Sequence, residues 1–172
     1  SGENIKNAFL KSPLKFSRVT SGFSNRRLHP ILKKWRAHRG VDYGAPTGTP
    51  IMAVSNGIVR YIGKKGAYGR FIELRHNNGI STRYAHLSKY AKKLQKGSKV
   101  EQGQIIGYVG KSGMATGPHL HYEFLVNGRQ VDPSKAVTPP GPSISSDRRE
   151  EFNLKTAATR AMLTRLSAPA VE

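Results

Sequence analysis

Three Asn-Gly steps divide the middle of this chain into short runs in which apolar and polar residues alternate. They are Asn56-Gly57, Asn78-Gly79 and Asn127-Gly128, and residues typical of β-strands flank each of them. An Asn-Gly pair tolerates positive φ at both positions and therefore favours the type I′ turn of a β-hairpin. Strands joined by such tight turns predict a mostly β chain with an antiparallel sandwich or barrel-like core.

The chain has 172 residues, which is enough for one domain with its own core. Residues 1–16 are basic with little periodicity and are predicted to form an N-terminal lead-in segment, while residues 17–137 form the main domain. Residues 138–146 are rich in proline and serine, as linkers are. Residues 147–172 have the apolar spacing of a C-terminal helix followed by a tail.

Composition excludes several classes of protein. The chain contains no cysteine, so it has no disulfides and only His, Asp and Glu remain as strong metal ligands. No apolar run approaches the roughly 18 residues of a membrane-spanning helix. The first residues lack the apolar core of an export signal, so none is predicted in this sequence.

The net charge indicates an anionic partner. Lys and Arg number 29 against 10 Asp and Glu, which gives a formal charge of +19. Such a charge attracts polyanions, either nucleic acid or an anionic polymer of the cell envelope. The sequence contains no zinc-finger, helix-turn-helix or RNP-type pattern, so we expect no specific binding of nucleic acid.

Two short patterns place possible metal ligands on common faces. In GPHLHYEF, His119 and His121 are two residues apart and point to the same side of a strand. His38 and Asp42 are four residues apart and also share a face. Either pattern alone can arise by accident, from polar positions on a half-buried strand or from an aspartate that balances an arginine. His38, Asp42 and one histidine of the His119/His121 pair together supply three ligands, the number that catalytic zinc sites use.

The segments HRGVDYGAPTGTPI, TRYAHLS and ATGPHLHYEF occur in this order and resemble the lysostaphin-type, or LytM-domain, zinc metallopeptidases. The resemblance extends over about Val19 to Val137. It implies a zinc-dependent endopeptidase that cuts peptide cross-links of bacterial peptidoglycan.

The same resemblance implies a role for each residue of the site. His38, Asp42 and His121 would bind zinc, while His86 and His119 would be catalytic histidines that do not bind the metal. One of these two would take a proton from the attacking water, and the other would stabilise the tetrahedral oxyanion. The sequence does not assign the two tasks between them.

The sequence gives less definite predictions for the other polar residues near these segments. Asn25, Arg26 and His29 precede the first ligand and are candidates for binding substrate carboxylates, although a solvated basic loop is an equal alternative. Glu123 is expected to form an exposed salt bridge rather than to support His121. His76 is expected to be exposed at the end of a strand.

The segment SDRREEF after the linker resembles the region that follows the catalytic part of periplasmic murein DD-endopeptidases of Gram-negative bacteria. This favours the bond between D-alanine and diaminopimelate, and a periplasmic location. Two rival hypotheses are a non-catalytic wall-binding regulator of other hydrolases and a basic module that binds polyanions. The first requires lost ligands, and the second does not explain the five placed histidine and aspartate residues.

Overall fold

A computed structural model describes residues 9–16, 18–28, 34–136, 150–151 and 153–157. Phe9–Thr138 form one compact unit, and Ser1–Ala8 with Pro139–Glu172 form another. In the second unit the described residues 150, 151 and 153–157 are helical, within the region predicted to form the C-terminal helix. Residues 158–172 of that region lie outside the described residues. None of the described helices is long and apolar enough to cross a membrane.

Short strands make up most of the first unit. Its described strands are β1 (Arg18–Ser21), β2 (Ser24–Leu28), β3 (Trp35–His38), β4 (Val41–Gly44), β5 (Pro50–Met52), β6 (Gly57–Lys64), β7 (Arg70–Arg75), β8 (Ile80–Tyr90), β9 (Lys99–Val100), β10 (Ile105–Val109), β11 (His119–Val126) and β12 (Arg129–Val131). A short 3-10 turn at Gly66–Tyr68 connects β6 to β7.

Ten of these strands form one sheet with the order β1-β4-β11-β8-β7-β6-β9, to which β5, β10 and β12 are added at the sides. Strands β2 and β3 form a separate two-stranded ribbon. Every strand pair is antiparallel. The prediction of a mostly β, antiparallel fold is confirmed, and β11 lies between β4 and β8 within the sheet.

Two of the three Asn-Gly steps form the predicted hairpins. Asn127 and Gly128 have φ values of 48° and 79° and join β11 to β12. Asn78 and Gly79 have φ values of 57° and 70° and join β7 to β8. Positive φ at both positions is the signature of the type I′ turn, so the local turn chemistry determines these two connections.

The hairpin predicted at Asn56-Gly57 is wrong. Strand β5 pairs with β10, and β6 pairs with β7 and β9, so the two runs that flank this step are not neighbours. Gly57 is required for close packing instead. A Cβ atom there would lie 2.7 Å from the carbonyl oxygen of Arg75 and 2.8 Å from Nδ1 of His76. The step therefore brings the start of β6 against the end of β7.

One face of β11 belongs to the apolar core. Tyr122 is 4% exposed and Phe124 is 3% exposed. The Tyr122 ring packs 5.5 Å from that of Tyr84, and the Phe124 ring packs 5.4 Å from that of Phe9, in edge-on or tilted geometries that favour aromatic pairs. Phe9 falls in the segment predicted as a lead-in, and it contributes to this core.

His76 lies in the interior rather than at the surface, so the expectation of an exposed residue is wrong. It is 7% exposed. Its Nδ1 donates to the Asn56 carbonyl oxygen at 2.7 Å, and its Nε2 lies 2.8 Å from the Thr82 hydroxyl. The Thr82 oxygen is in turn 3.0 Å from the hydroxyl of the buried Tyr84. A neutral ring that is protonated at Nδ1 satisfies the Asn56 carbonyl oxygen.

We predict that His76 makes folding stability depend on pH. Burial lowers the pKa of His76 below 6.5, despite the opposing hydrogen bond to Asn56. Below pH 6.5 the unfolded chain therefore binds a proton that the folded chain resists, so stability is complete above this pH and declines as the pH falls. The loss from this residue is at most about 1.4 kcal/mol for each pH unit.

Urea unfolding of the wild type and of His76→Gln at pH 7.5 and pH 5.5 checks this. The free energy of unfolding should fall more in the wild type, because glutamine does not titrate and the remaining histidines are common to both proteins. An equal fall in both proteins would show that His76 contributes nothing to the pH dependence.

Candidate metal centre and cleft

Three potential metal ligands meet where β3, β4 and β11 come together. They are His38 at the end of β3, Asp42 in β4 and His121 in β11. His121 and Asp42 are directly paired across the two strands, which brings their side chains together. Asp42 Oδ1 lies 3.0 Å from His38 Nε2 and 2.8 Å from His121 Nδ1, and these two nitrogens are 3.2 Å apart.

The outer hydrogen bonds of the two histidines determine which nitrogen faces the cluster. His38 Nδ1 donates to the Gly22 carbonyl oxygen at 2.8 Å, so its Nε2 keeps a lone pair. His121 Nε2 lies 3.2 Å from Glu123 Oε1, an acceptor, so in the neutral ring the lone pair is on Nδ1. Both lone pairs therefore point toward Asp42 Oδ1, as metal ligation requires.

The arrangement fits zinc. Atoms bound at about 2.0–2.1 Å around a tetrahedral zinc lie roughly 3.3 Å from one another, close to the separations of 2.8–3.2 Å between these three atoms. A cation between them would stabilise the buried lone pairs and the carboxylate charge. Three protein ligands also leave a fourth position for a reactant, as in catalytic rather than structural sites.

Electrostatics within the cluster favours a positive charge. Burial would raise the pKa of Asp42, but His121 and His38 outweigh it and hold the pKa below the ordinary 3.8. Burial would lower the pKa of His121, but Asp42 and Glu123 outweigh it and raise the pKa to about 9. A proton is therefore held firmly where a metal would bind, and metal binding would release it.

Gly40, between the first two ligands, lets the third approach. A Cβ atom at this position would lie 2.6 Å from the carbonyl oxygen of Tyr122 and 2.7 Å from Cε1 of His121. Any other residue would displace β11 or turn the imidazole away. The spacing of His38 and Asp42 therefore depends on the glycine between them as well as on strand geometry.

His86 reaches the same cleft through an unusual backbone conformation. Its φ is 62°, which is uncommon for a residue with a side chain and is frequent at functional sites. Ala85, His86 and Leu87 are all buried in succession, so the alternation of β8 is interrupted here. The ring lies 4.7 Å from that of His119 and 6.0 Å from that of His121, measured between centroids.

The two non-ligand histidines have the same tautomer. His86 Nδ1 donates to the Ser112 carbonyl oxygen at 2.8 Å, and His119 Nδ1 donates to the Gly117 carbonyl oxygen at 2.9 Å. In each neutral ring the unprotonated nitrogen is therefore Nε2, which in His119 lies 3.9 Å from Asp42 Oδ1. Burial lowers the pKa of His86 to about 4, so the ring is neutral near pH 7.

Glu123 does more than the exposed salt bridge expected of it. It pairs with Arg83, whose Nη1 lies 3.1 Å from Glu123 Oε2, but it is only 1% exposed. Its other oxygen lies 3.2 Å from His121 Nε2 and accepts a hydrogen bond from the Tyr68 hydroxyl at 2.7 Å. Burial opposes ionisation, yet His121, Tyr68 and Arg83 together lower the pKa of Glu123 to about 2.

This contact extends the metal centre across the sheet. Glu123 lies opposite Arg83 on β8, which lies opposite Glu73 on β7. Arg83 Nε donates to Glu73 Oε2 at 2.8 Å, and Arg60 lies 3.4 Å from the other oxygen of Glu73. Charges of alternating sign thus stabilise one another in a row that ends at His121.

The five residues predicted as ligands and catalytic histidines all line one cleft of about 530 Å³. Tyr68, Arg39, Glu123 and Gln130, which the sequence did not identify as site residues, also line it. Tyr68 is the last residue of the short 3-10 turn at Gly66–Tyr68. Its ring lies 5.8 Å from that of His121.

The three candidate substrate-binding residues lie elsewhere or are not described. Asn25 and Arg26 are exposed and are absent from the described lining of the cleft. The Asn25 side chain accepts a hydrogen bond from the cleft residue Arg39 at 2.8 Å, whereas Arg26 stacks 5.0 Å from the ring centroid of Trp35. His29 lies outside the described residues. Contact of these residues with substrate stays a prediction.

Comparison with known proteins identifies the family. Residues 36–133 match the model of peptidase family M23. The chain is 45% identical over 151 residues to peptidoglycan DD-endopeptidase ShyC of Vibrio cholerae, a match that covers 88% of this chain and 34% of ShyC. The family resemblance read from the sequence is thereby confirmed.

Two solved structures share the fold. One is a zinc-containing peptidase from Vibrio cholerae, with a TM-score of 0.71, 38% identity and coverage of 78% of this chain and 41% of that one. The other is the catalytic domain of lysostaphin from Staphylococcus simulans, with a TM-score of 0.60, 33% identity and coverage of 69% of this chain and 90% of that one. The fold is of the lysostaphin type, and the His/Asp/His cluster agrees with the predicted zinc cofactor. The chain spans about a third of the length of its curated relatives.

We predict that Glu123→Gln weakens zinc binding by about 10- to 100-fold, the usual effect of removing a carboxylate behind a metal-binding histidine. The glutamine keeps the size of the side chain but removes the charge that holds the proton on His121 Nε2. Competition with a chromogenic chelator measures the affinity directly.

Glu101→Gln, which changes an exposed carboxylate, is the control and should leave the affinity unchanged. Tyr68→Phe removes only one hydrogen bond to Glu123 and should have a smaller effect. A folded Glu123→Gln protein with wild-type zinc affinity would contradict the role of this carboxylate.

Proposed function

The chain belongs to peptidase family M23, and on this premise we propose that it is a zinc-dependent endopeptidase that hydrolyses peptide cross-links of bacterial peptidoglycan. The observation that carries the proposal is the cluster of His38, Asp42 and His121 with two further histidines beside it in one cleft. A non-catalytic member that had lost its site would lack some of these five residues. A relative of similar sequence is named a peptidoglycan DD-endopeptidase, which supports the substrate class.

His38, Asp42 and His121 would hold the zinc. When bound, zinc supplies a Lewis acid that lowers the pKa of a water molecule from 15.7 to about 7 and polarises a carbonyl group. Glu123 and the Gly22 carbonyl oxygen hold the two ligand imidazoles in the required tautomers. The residues of the chain thus position the ion and supply the proton transfers.

Hydrolysis of the cross-link requires one proton to move. A water oxygen bonds to the carbonyl carbon, the carbon–nitrogen bond breaks, and one proton of the water ends on the leaving nitrogen. The Nε2 atoms of His86 and His119 are unprotonated in the neutral rings, so either can accept this proton and later donate it.

The tautomers also constrain how the oxyanion is stabilised. Since Nδ1–H of both rings is bonded to a backbone carbonyl, a neutral ring has no hydrogen at Nε2 to donate. Only the ring that has taken up a proton can donate to the oxyanion from this atom. Whether His86 or His119 acts as the base or as the donor to the oxyanion therefore depends on which of the two rings carries the extra proton.

The bond and the location form the finer part of the proposal. The tail that resembles periplasmic murein DD-endopeptidases supports cleavage between D-alanine and diaminopimelate in the Gram-negative periplasm. The formal charge of +19 supports attraction of an anionic wall polymer. The same charge is the one observation that favours the alternative of a polyanion-binding module.

We predict that purified dimers of diaminopimelate-type muropeptides are cut to monomers by the zinc-loaded protein and not in the presence of a chelator. His119→Ala should lower kcat by about 10²- to 10⁴-fold, the usual contribution of a proton-transferring group. Mass spectrometry of the products measures both effects.

Lys96→Ala, which changes an exposed side chain outside the described cleft lining, should cleave like the wild type. Dimers that stay intact with zinc-loaded wild type would contradict the proposed bond. Salt-dependent binding of polyanions without any cleavage would favour the binding module.

A further inference from the structure

Arg39 has a distinctive position in the cleft. It lies between the ligand His38 and Gly40, in the connection from β3 to β4. Among the described residues that line the cleft, it is the one lysine or arginine. A permanent positive charge thus stands beside the metal ligands in a cleft whose other basic groups are histidines.

Two neighbours hold the Arg39 side chain in place. Its Nη1 donates to Asn25 Oδ1 at 2.8 Å, and its guanidinium carbon lies 5.8 Å from the centroid of the Phe23 ring. Both contacts restrict an otherwise flexible side chain and lower the entropic cost of ligand binding. Neither contact neutralises its charge.

No carboxylate among the described residues pairs with this charge. Within the described part of the chain, Arg39 forms no ion pair, and the two carboxylates that line the cleft contact other residues. Asp42 lies against His38 and His121, and Glu123 lies against Arg83 and Tyr68. A positioned guanidinium that remains available is suited to a carboxylate from the substrate, which it can bind through two parallel hydrogen bonds.

We propose that Arg39 determines specificity by binding a carboxylate on the carbon that carries the scissile nitrogen. This inference rests on the proposed function. In a cross-link from D-alanine to diaminopimelate, the leaving amine belongs to an amino-acid centre that bears a carboxylate. In a cross-bridge of glycines, the carbon after the scissile nitrogen has none. Arg39 would therefore distinguish these two classes of peptidoglycan at the residue after the cut.

The expected effect follows from the hydrogen bonds that would be lost. Hydrogen bonds to charged groups contribute enough for a roughly 10- to 100-fold change in kcat/KM, and exposure of Arg39 favours the lower end. The carboxylate is present before and during the reaction, so the change should be mainly in KM.

The test compares two dimers that differ in one group. One has the free carboxylate beside the scissile nitrogen, and the other has the corresponding carboxamide. Wild type should cleave the free acid about tenfold more efficiently, and Arg39→Gln should cleave both at the lower rate. Arg39→Lys should recover part of the preference, because it keeps the charge but not the planar fork.

Arg75→Gln removes the same charge from an exposed site outside the described cleft lining and should keep the preference. An equal loss on both dimers in Arg39→Gln would indicate a merely structural role and overturn the inference. An unchanged preference in Arg39→Gln would overturn it as well.

Binding separates this inference from the proposed function. Calorimetry with His119→Ala, which should bind without efficient cleavage, compares the affinities for the two dimers. Tighter binding of the free acid that disappears in the His119→Ala/Arg39→Gln double variant supports the role of Arg39, even if the wild type cuts neither dimer. Equal affinities for both dimers would overturn it, even if the wild type cuts both.

Discussion

The pairing of His121 with Asp42 across β4 and β11 is the contact on which the whole site depends. It is a matter of strand register, and a slip by one residue would turn His121 to the opposite face. That register is held from the other side of β11, where Tyr122 packs against Tyr84 and Tyr43. The apolar core therefore positions the metal ligands. Packing of the aromatic rings on one face of β11 fixes the strand register that places His121 beside Asp42 on the other face.

The site also has to stabilise charge in the interior. Glu123 is almost fully buried, and an isolated carboxylate there would be strongly destabilising. Arg83, Tyr68 and His121 offset this cost with hydrogen bonds, and Glu73 balances Arg83 in turn. Such a row is stable only when every member has its partner. The gain is a fixed tautomer at His121, which a solvent-exposed imidazole would not have.

The parts that could be predicted from the sequence follow local rules. Side chains alternate between the two faces of a strand, so His119 and His121 share one face. Asn127-Gly128 forms a type I′ turn because both residues tolerate positive φ. The predictions that proved wrong concern interactions between segments that are distant in the sequence. The Asn56-Gly57 step has the composition of a turn but serves close packing, and the burial of Glu123 and His76 depends on partners in neighbouring strands. Polar residues are usually exposed, and the burial of Glu123 and His76 is explained only by hydrogen bonds to residues on neighbouring strands.

Charge acts at two ranges in this protein. The formal charge of +19 would attract an anionic polymer from a distance, but salt screens such attraction beyond about 8 Å, and this attraction would not distinguish one peptide from another. Discrimination between substrates with and without a carboxylate beside the scissile bond would need a cation in the cleft. The described lining of the cleft offers histidines, two carboxylates in contact with protein residues, and Arg39. In the proposed mechanism, proton transfer and metal binding would occupy the first two groups, so recognition of a carboxylate beside the scissile bond would fall to Arg39, held by Asn25.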